Sequence, residues 1–173
     1  IVEVAENSAL FEASAMVEDC SGLLFERGFC YSLFPNPTIE NNIIVNNSAP
    51  RGGGAVVENA IPIFSSNTIA YNTSTISGGG LDIVNSNPLI MNCILWGNNA
   101  PTGPQISGLA TVVYSDVEGG WTGEGNINDD PLFVNPTNGD FTLQDNVSPC
   151  LQVGIDSIDI GGSMYYCPPF CIH

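Results

Sequence analysis

One repeat unit decides the fold of this chain: residues 54–80 read GAVVENAIPIFSSNTIAYNTSTISGGG. A glycine opens the unit, a proline follows, and an Asn-Thr-Ile phrase comes after the proline. The same order of phrases begins at Gly28 and again at Gly80, so the three opening glycines stand 26 residues apart. This repeat indicates a stacked architecture, because a unit of about 25 residues cannot bury its own apolar face.

Two further series of residues recur along the chain. Each has a spacing of 25, and the members are Asn42, Asn67 and Asn92, then Ile44, Ile69 and Ile94. Stacked asparagines can hydrogen-bond to their copies above and below, and glycine accepts the positive φ of a sharp corner. We therefore predict an amide ladder from the asparagines, an internal apolar ladder from the isoleucines, and corners at Gly28, Gly54 and Gly80.

The apolar runs within each unit are short, β-branched or aromatic, and interrupted by Asn, Gly, Ser or Pro. No window keeps the apolar stripe of a helix, so the runs predict strands. Short strands joined by tight turns fit an all-β parallel β-helix, or β-solenoid, with about four to five coils and a C-terminal cap. We interpret residues 1–173 as one domain, with a degenerate first coil or N-terminal cap at 1–27, repeat coils at 28–118, and a loop and C-terminal cap at 119–173.

The charge of the chain restricts its partners. The formal net charge is −16, and the sequence holds two arginines, Arg27 and Arg51, and no lysine. Nucleic acid is excluded as a partner because phosphate binding needs clustered Lys or Arg, and an anionic membrane surface is excluded for the same reason. The sequence also lacks an apolar run of about 18 to 20 residues, so we predict no membrane span.

Six cysteines in an acidic chain rich in Asn, Gly and Ser indicate an oxidising, extracytoplasmic compartment. We predict one disulfide between Cys167 and Cys171 and a second between Cys20 and Cys30. A zinc site is the alternative use of cysteine, but the only histidine is His173. The sequence therefore gives no reason to predict a zinc site.

Several phrases follow one another in an order that is typical of one group of proteins. They are Pro37-Thr-Ile-Glu-Asn-Asn-Ile, Asn92-Cys-Ile-Leu-Trp-Gly-Asn98, Tyr114-Ser-Asp-Val-Glu-Gly-Gly-Trp121, Asp130-Pro-Leu-Phe-Val134 and Ser148-Pro-Cys150. Over about residues 28–162 the chain resembles the right-handed parallel β-helix repeat proteins of the pectate-lyase-like superfamily, specifically the secreted bacterial surface proteins. The resemblance implies this fold and an extracellular or cell-surface location. Because the group includes adhesins, surface proteins and carbohydrate-active enzymes, the activity stays open.

Few residues in the sequence suit enzymatic chemistry. The polysaccharide lyases of the superfamily use an arginine or lysine base beside calcium-binding aspartates, and here only Arg27 and Arg51 are available. A chain of charge −16 also repels a polyuronate substrate. Hydrolases on this fold need facing carboxylates, and the adjacent pair Asp129-Asp130 lacks the His and Arg or Lys motifs that accompany such pairs. We predict no catalytic residues.

Two kinds of binding site are candidates. Calcium prefers carboxylate and carbonyl oxygens, which points to Asp129, Asp130 and Asp140, although solvated turn carboxylates explain these residues as well. We expect no other cofactor. Trp121, in a glycine-rich loop, is the candidate for stacking on a sugar, whereas Trp96 extends a strand phrase and fits a packed position equally well.

Three sequons offer candidate glycosylation sites at Asn46, Asn72 and Asn146. Asn46 and Asn72 stand 26 residues apart, so we expect glycans there to decorate one edge of successive coils. Because the chain is rich in asparagine, such matches also arise by chance.

Together the patterns favour a non-enzymatic, extracellular β-solenoid with a structural or adhesive role. The unpaired strands at the two ends of a solenoid can meet head to tail, so self-association into a filament or surface layer is part of this hypothesis. The alternative is a carbohydrate-active β-helix enzyme, lyase or hydrolase, or a carbohydrate-binding module, with an extracellular polysaccharide as partner.

Overall fold

The computed structural model describes residues 36–162 and three strand segments at 2–4, 19–21 and 24–25. These residues form an all-β parallel β-solenoid with almost no helix. The predicted fold class is confirmed, and helix is limited to two short 3-10 turns at Pro136–Asn138 and Ile155–Ser157 in the described residues.

The strands are numbered in chain order. They are β1 Val2–Val4, β2 Asp19–Ser21, β3 Leu24–Phe25, β4 Thr38–Glu40, β5 Ile43–Val45, β6 Ser48–Arg51, β7 Ala55–Glu58, β8 Ile63–Ser65, β9 Thr68–Ala70, β10 Thr73–Ser77, β11 Leu81–Val84, β12 Leu89–Met91, β13 Ile94–Trp96, β14 Ile106–Ser107, β15 Thr111–Val113, β16 Asp116–Val117, β17 Phe133–Asn135 and β18 Asp140–Leu143.

Parallel sheets run along the solenoid. Two are five-stranded, in the orders β15-β12-β8-β4-β2 and β16-β13-β9-β5-β3, and a third has the order β1-β7-β11-β14. Strands β6 and β10 form a separate parallel pair, and β1 is antiparallel to β7. The described strands make three complete turns, β4–β7, β8–β11 and β12–β14, with partial turns formed by β2–β3 and β15–β16. Within the described residues, the complete turns are thus somewhat fewer than the four to five coils predicted.

The repeat spacing changes from 25 to 26 at an irregularity in β10. Upstream, Thr73 pairs with Ser48 and Ser74 with Ala49, whereas downstream Ser77 pairs with Arg51. One extra residue in β10 shifts all later positions, as a β-bulge does. A constant spacing of 25 across the three units is therefore wrong, and the third member of each predicted ladder lies one residue away from its true position.

The internal apolar ladder continues through Leu95 rather than Ile94. Ile44 pairs with Ile69 and Ile69 pairs with Leu95, and all three side chains are fully buried in the core inside the solenoid. Ile94 pairs with Thr68 and packs in a second apolar cluster outside the coil. It points to the opposite face because adjacent strand residues alternate between faces.

The glycine corners also differ from the prediction. Positive φ occurs at Gly52 and Gly78, whereas Gly54 and Gly80 are not among the residues with positive φ. The N–H of Gly54 donates to the carbonyl of Gly80 at 3.0 Å, so the two glycines stack. A Cβ on Gly80 would lie 2.5 Å from the carbonyl oxygen of Gln105. Close backbone approach, rather than left-handed conformation, requires glycine here. Gly28 lies outside the described residues.

Gly80→Ala tests this explanation. Because the added methyl group meets backbone atoms that belong to the next turn, we expect the free energy of unfolding to fall by about 2 kcal/mol, as in other overpacked sites. Gly119→Ala is the control, since Gly119 has φ +86° but open space around its Cβ position. Urea denaturation measures both. A larger loss for Gly119→Ala would show that conformation matters more than contact.

Residues 131–162 cover a side of the solenoid. Phe133 and Phe141 pack edge to face, with ring centroids 5.3 Å apart, in the cluster that also contains Ile43 and Ile94 on the outer face of β5 and β13. Strands β17 and β18 form an antiparallel pair in this region. The predicted C-terminal cap is thus largely a lateral cover.

We call residues 149–162 the strap, because they run back along several turns. The Cys150 thiol donates to Asp116 at 3.2 Å, and the Ile155 N–H donates to Asn92 Oδ1 at 2.8 Å. The Gly162 N–H then donates to Thr68 Oγ1 at 3.1 Å. The strap therefore joins the last partial turn to the two complete turns before it.

The loop 118–128 covers the backbone edge of the last turn, which would otherwise be unpaired. The Tyr114 N–H donates to the Glu124 carbonyl at 2.8 Å, and the Val117 N–H donates to the Ile127 carbonyl at 3.1 Å. Trp121 packs against the core inside the solenoid. This loop, together with the lateral cover, carries out the shielding that the sequence assigned to one cap.

Candidate functional site

The predicted asparagine ladder runs through Cys93 in place of Asn92. The Asn42 N–H and Nδ2 both donate to Asn67 Oδ1, at 3.0 and 3.1 Å. The Asn67 N–H donates to Cys93 Sγ at 3.4 Å, and the Cys93 N–H donates to Ser115 Oγ at 3.1 Å. Asn92, with φ 53°, lies at the preceding corner and holds the strap instead.

A second, buried ladder was missed in the sequence. The Asn47 N–H donates to Asn72 Oδ1 at 3.0 Å, and the Asn72 N–H donates to Asn98 Oδ1 at 2.9 Å. Their spacings, 25 and then 26, match the shift at β10. A search for asparagine at both spacings would have found this series.

The second ladder ends at Glu118. Asn98 Nδ2 donates to Gln105 Oε1 at 2.6 Å, and Gln105 Nε2 donates to Glu118 Oε2 at 2.6 Å. The Gly97 N–H donates to the same Glu118 oxygen at 2.8 Å. An exposed carboxylate is thereby fixed in position by a buried amide network.

A cavity of about 520 Å³, largely open to solvent, lies at this end of the ladder. Asn99, Gln105, Glu118 and Trp121 are among the residues that line it, and turn residues complete the wall. Its size falls within the range of about 300 to 1,000 Å³ for small-molecule sites. We take this cavity, named the end cavity below, as the candidate functional site. Trp121 was predicted from the sequence, whereas Glu118 and Gln105 were not.

Two candidate glycosylation sites remain exposed and one does not. Asn46 and Asn146 are exposed, with positive φ. Asn72 is fully buried and hydrogen-bonded in the second ladder, so it cannot accept a glycan in the folded chain. The expected common edge of Asn46 and Asn72 is wrong, because Asn72 stacks on Asn47.

The calcium candidates serve local turns. Asp130 Oδ1 accepts the Leu132 N–H at 2.9 Å, and Asp140 Oδ1 accepts the Thr142 N–H at 3.1 Å. The backbone of Asp129 donates to Asp116. Among the described residues, no three His, Cys, Asp or Glu side chains are grouped so that they could hold a metal ion.

The two cysteines with described side chains are buried thiols. Burial raises the pKa of Cys93 to about 11, although its hydrogen bonds with Asn67 and Met91 act in the opposite direction. Burial, together with the nearby Asp116 charge, also raises the pKa of Cys150. Neither thiol is activated as a nucleophile. The predicted disulfide partners Cys20, Cys30, Cys167 and Cys171 have no described side chains.

Asp116 is an unusual buried acid. Its side chain has no exposed surface and lies under the strap, where it accepts hydrogen bonds from the Cys150 thiol and the Asp129 N–H. Burial raises the pKa of Asp116 to about 6, those two hydrogen bonds lower it, and the charges of Asp129 and Asp130 raise it. The strap therefore rests on a carboxyl group that keeps its proton to a higher pH than an exposed aspartate does.

Arg51 is engaged in an ion pair. Its guanidinium lies 2.6 Å from Asp82 Oδ2, and the Asp82 side chain is only 3% exposed. An arginine that neutralises a buried carboxylate is poorly suited to act as a catalytic base. Arg27, the other candidate base, lies outside the described residues.

No family model, curated protein or solved structure matches this chain. The β-solenoid fold is therefore shown by the structure alone, and membership of the pectate-lyase-like superfamily stays a prediction. The helices within the described residues are too short to cross a membrane.

Proposed function

We propose that this chain is a non-enzymatic, extracellular β-solenoid with a structural or adhesive role, of the secreted surface type that the sequence resembles. The use of its buried polar side chains carries the proposal. Asn67 and Asn72 each hydrogen-bond to the turn before and the turn after. Side chains committed to such ladders stabilise stacking and are unavailable for chemistry.

The charged residues support the same function. Arg51 is bound to Asp82, and Asp130 and Asp140 hold turns. Within residues 36–162, no three metal-ligating side chains are grouped together, and both thiols are buried. A lyase would need a free base beside its substrate, and the Arg51 guanidinium is held in an ion pair. An acidic chain with six cysteines also fits an extracellular location.

Head-to-tail self-assembly is opposed at the C-terminal end of the solenoid by the loop that covers the last turn. The loop 118–128 already pairs with the edge of the last turn, so a second copy would have to displace it. A protected edge is the usual device against such pairing. We therefore favour an adhesive or structural unit whose role does not require head-to-tail stacking at this end.

A polysaccharide turnover screen tests the proposal. We expect incubation with neutral polysaccharides and with polygalacturonate to release no reducing ends or unsaturated products beyond those of a heat-denatured sample. Activity in the native sample that disappears in Arg51→Ala or Asp130→Asn would contradict the proposal. Asp145→Asn, a change at another exposed carboxylate, is the matched control.

A further inference from the structure

We propose that the end cavity binds neutral sugar residues, which would give the adhesive role its ligand class. This inference rests on the proposed adhesive function and adds a site to it. The cavity combines an aromatic side chain with fixed polar groups, which is the composition of small-molecule sites in general.

Glu118 supplies a positioned hydrogen-bond acceptor. Both the Gly97 N–H and Gln105 Nε2 donate to its Oε2, at 2.8 and 2.6 Å. Its Oε1 accepts no hydrogen bond from the described residues. Because one oxygen is held, the other can accept from a ligand hydroxyl with little further loss of side-chain freedom.

Asn99 supplies a second polar group on the same cavity. Its backbone is fixed, since its N–H donates to the Asn72 carbonyl and its carbonyl accepts from Ser74, each at 2.8 Å. Its side chain is exposed and makes no hydrogen bond to the rest of the described chain. An amide both donates and accepts, so it complements sugar hydroxyl groups, which do the same.

Trp121 provides an apolar surface for a sugar ring. The residue is partly buried and packs against the core inside the solenoid, and it is also one of the residues that line the cavity. Its packing restrains the ring, and a restrained platform loses little entropy on binding. The C–H face of a pyranose would gain dispersion contacts on the indole, while its hydroxyl groups reach the polar side chains.

The charge of the site selects a neutral ligand. Glu118 is an acceptor-only carboxylate, and the chain as a whole carries −16, so uronic acids and phosphorylated sugars are repelled. A metal ion is the other ligand that a carboxylate attracts. However, no group of three metal-ligating side chains occurs among the described residues.

Affinity electrophoresis and a pull-down on insoluble polymers test the proposal. The probes are glucan, mannan, galactan, xylan and polygalacturonate, each with the purified wild-type chain. We expect retention on at least one neutral polymer and none on polygalacturonate. Trp121→Ala and Glu118→Ala should each weaken that retention at least tenfold.

Three further variants guard against misfolding as the cause. Asn99→Ala changes an exposed side chain on the cavity and should weaken retention, whereas Leu109→Ala and Asp145→Asn change exposed side chains elsewhere and should not. Circular dichroism checks that each variant is folded.

Two results would overturn the site. One is that the wild-type chain binds no neutral polymer, and the other is that it binds with an affinity that Trp121→Ala, Glu118→Ala and Asn99→Ala leave unchanged. In the second case the proposed adhesive function would still hold, but the polymer would bind to a different surface of the protein. Polysaccharide turnover, by contrast, would overturn the proposed function itself.

Discussion

Replacing Asn72 by alanine is expected to lower the free energy of unfolding by about 4 kcal/mol, since two buried backbone groups lose partners at about 2 kcal/mol each. Asn72 Oδ1 accepts from the Asn47 N–H, and Asn72 Nδ2 donates to the Ile44 carbonyl at 2.8 Å. The Asn72 side chain is fully buried, so bulk water does not compete for these bonds in the wild-type coil. The alanine variant would also break the amide series between Asn47 and Asn98.

Urea denaturation of the variant and the wild type measures this effect. Asn138→Ala is the matched control, because Asn138 is exposed and its loss should change stability by less than about 0.5 kcal/mol. If Asn72→Ala lost no more than Asn138→Ala, the ladder would be a consequence of stacking and not a cause of its stability. An intermediate loss would indicate that water enters the vacated position.

The sequence predicted stacking correctly and the register incompletely. The β10 irregularity adds one residue between Ser74 and Ser77, and nothing in the local composition marks the place. An asparagine stands at Asn92, next to the true ladder position Cys93, so a spacing of 25 from Asn67 leads to the wrong residue. Backbone pairing distinguishes the two choices, because it fixes which side chain faces inward.

The lateral cover could have been predicted in part. Residues 43–45 are Ile-Ile-Val and all three are buried, whereas β8, a strand of the neighbouring sheet, has one exposed, one buried and one half-buried residue. A strand with apolar residues on both faces must be covered on both faces. The sequence therefore indicates that a second layer exists, but the segment that forms it depends on contacts between distant parts of the chain.

The residues of the end cavity could likewise be predicted only in part from the sequence. Trp121 was identified as a candidate because a glycine-rich loop surrounds it in the sequence. Gln105 and Glu118 lie 13 residues apart and meet only because the coil turns between them. Gln105 and Glu118 each occur once, at the end of the ladder, and have no counterparts in the other repeat units. A comparison of the repeat units with one another therefore could not detect their contact.

Asp116→Asn is expected to stabilise the protein at neutral pH by about 3 kcal/mol, because the variant removes the cost of ionising a buried carboxyl. The pKa of Asp116 rises from 3.8 to about 6 on folding, chiefly through burial. A difference of about two pKa units corresponds to about 3 kcal/mol. The replacement is similar in shape and keeps an oxygen that can accept the Asp129 N–H.

The sign of the pH dependence follows from these two values. Well below the unfolded-state pKa, both states hold the proton and Asp116 costs nothing. As the pH rises from about 4 to 6, the unfolded chain releases its proton while the folded chain keeps it, so the stability of the wild type falls. Above the folded-state pKa both states are ionised and the loss is complete. The asparagine variant should lack this part of the pH profile.

Thermal or urea denaturation of both proteins at pH 4 and pH 7.5 measures the difference. We expect only a small gain at pH 4, where the unfolded-state carboxyl begins to ionise, and the full gain at pH 7.5, while Asp145→Asn, a change at an exposed carboxylate, shows no such pH-dependent difference. Equal stability of the wild type and Asp116→Asn at pH 7.5 would contradict this prediction. It would mean that the Asp116 carboxylate is well solvated in the folded protein although the strap lies over it. Cys150, which belongs to the strap, contacts Asp116. The same result would therefore show that docking the strap against the last turn has no electrostatic cost.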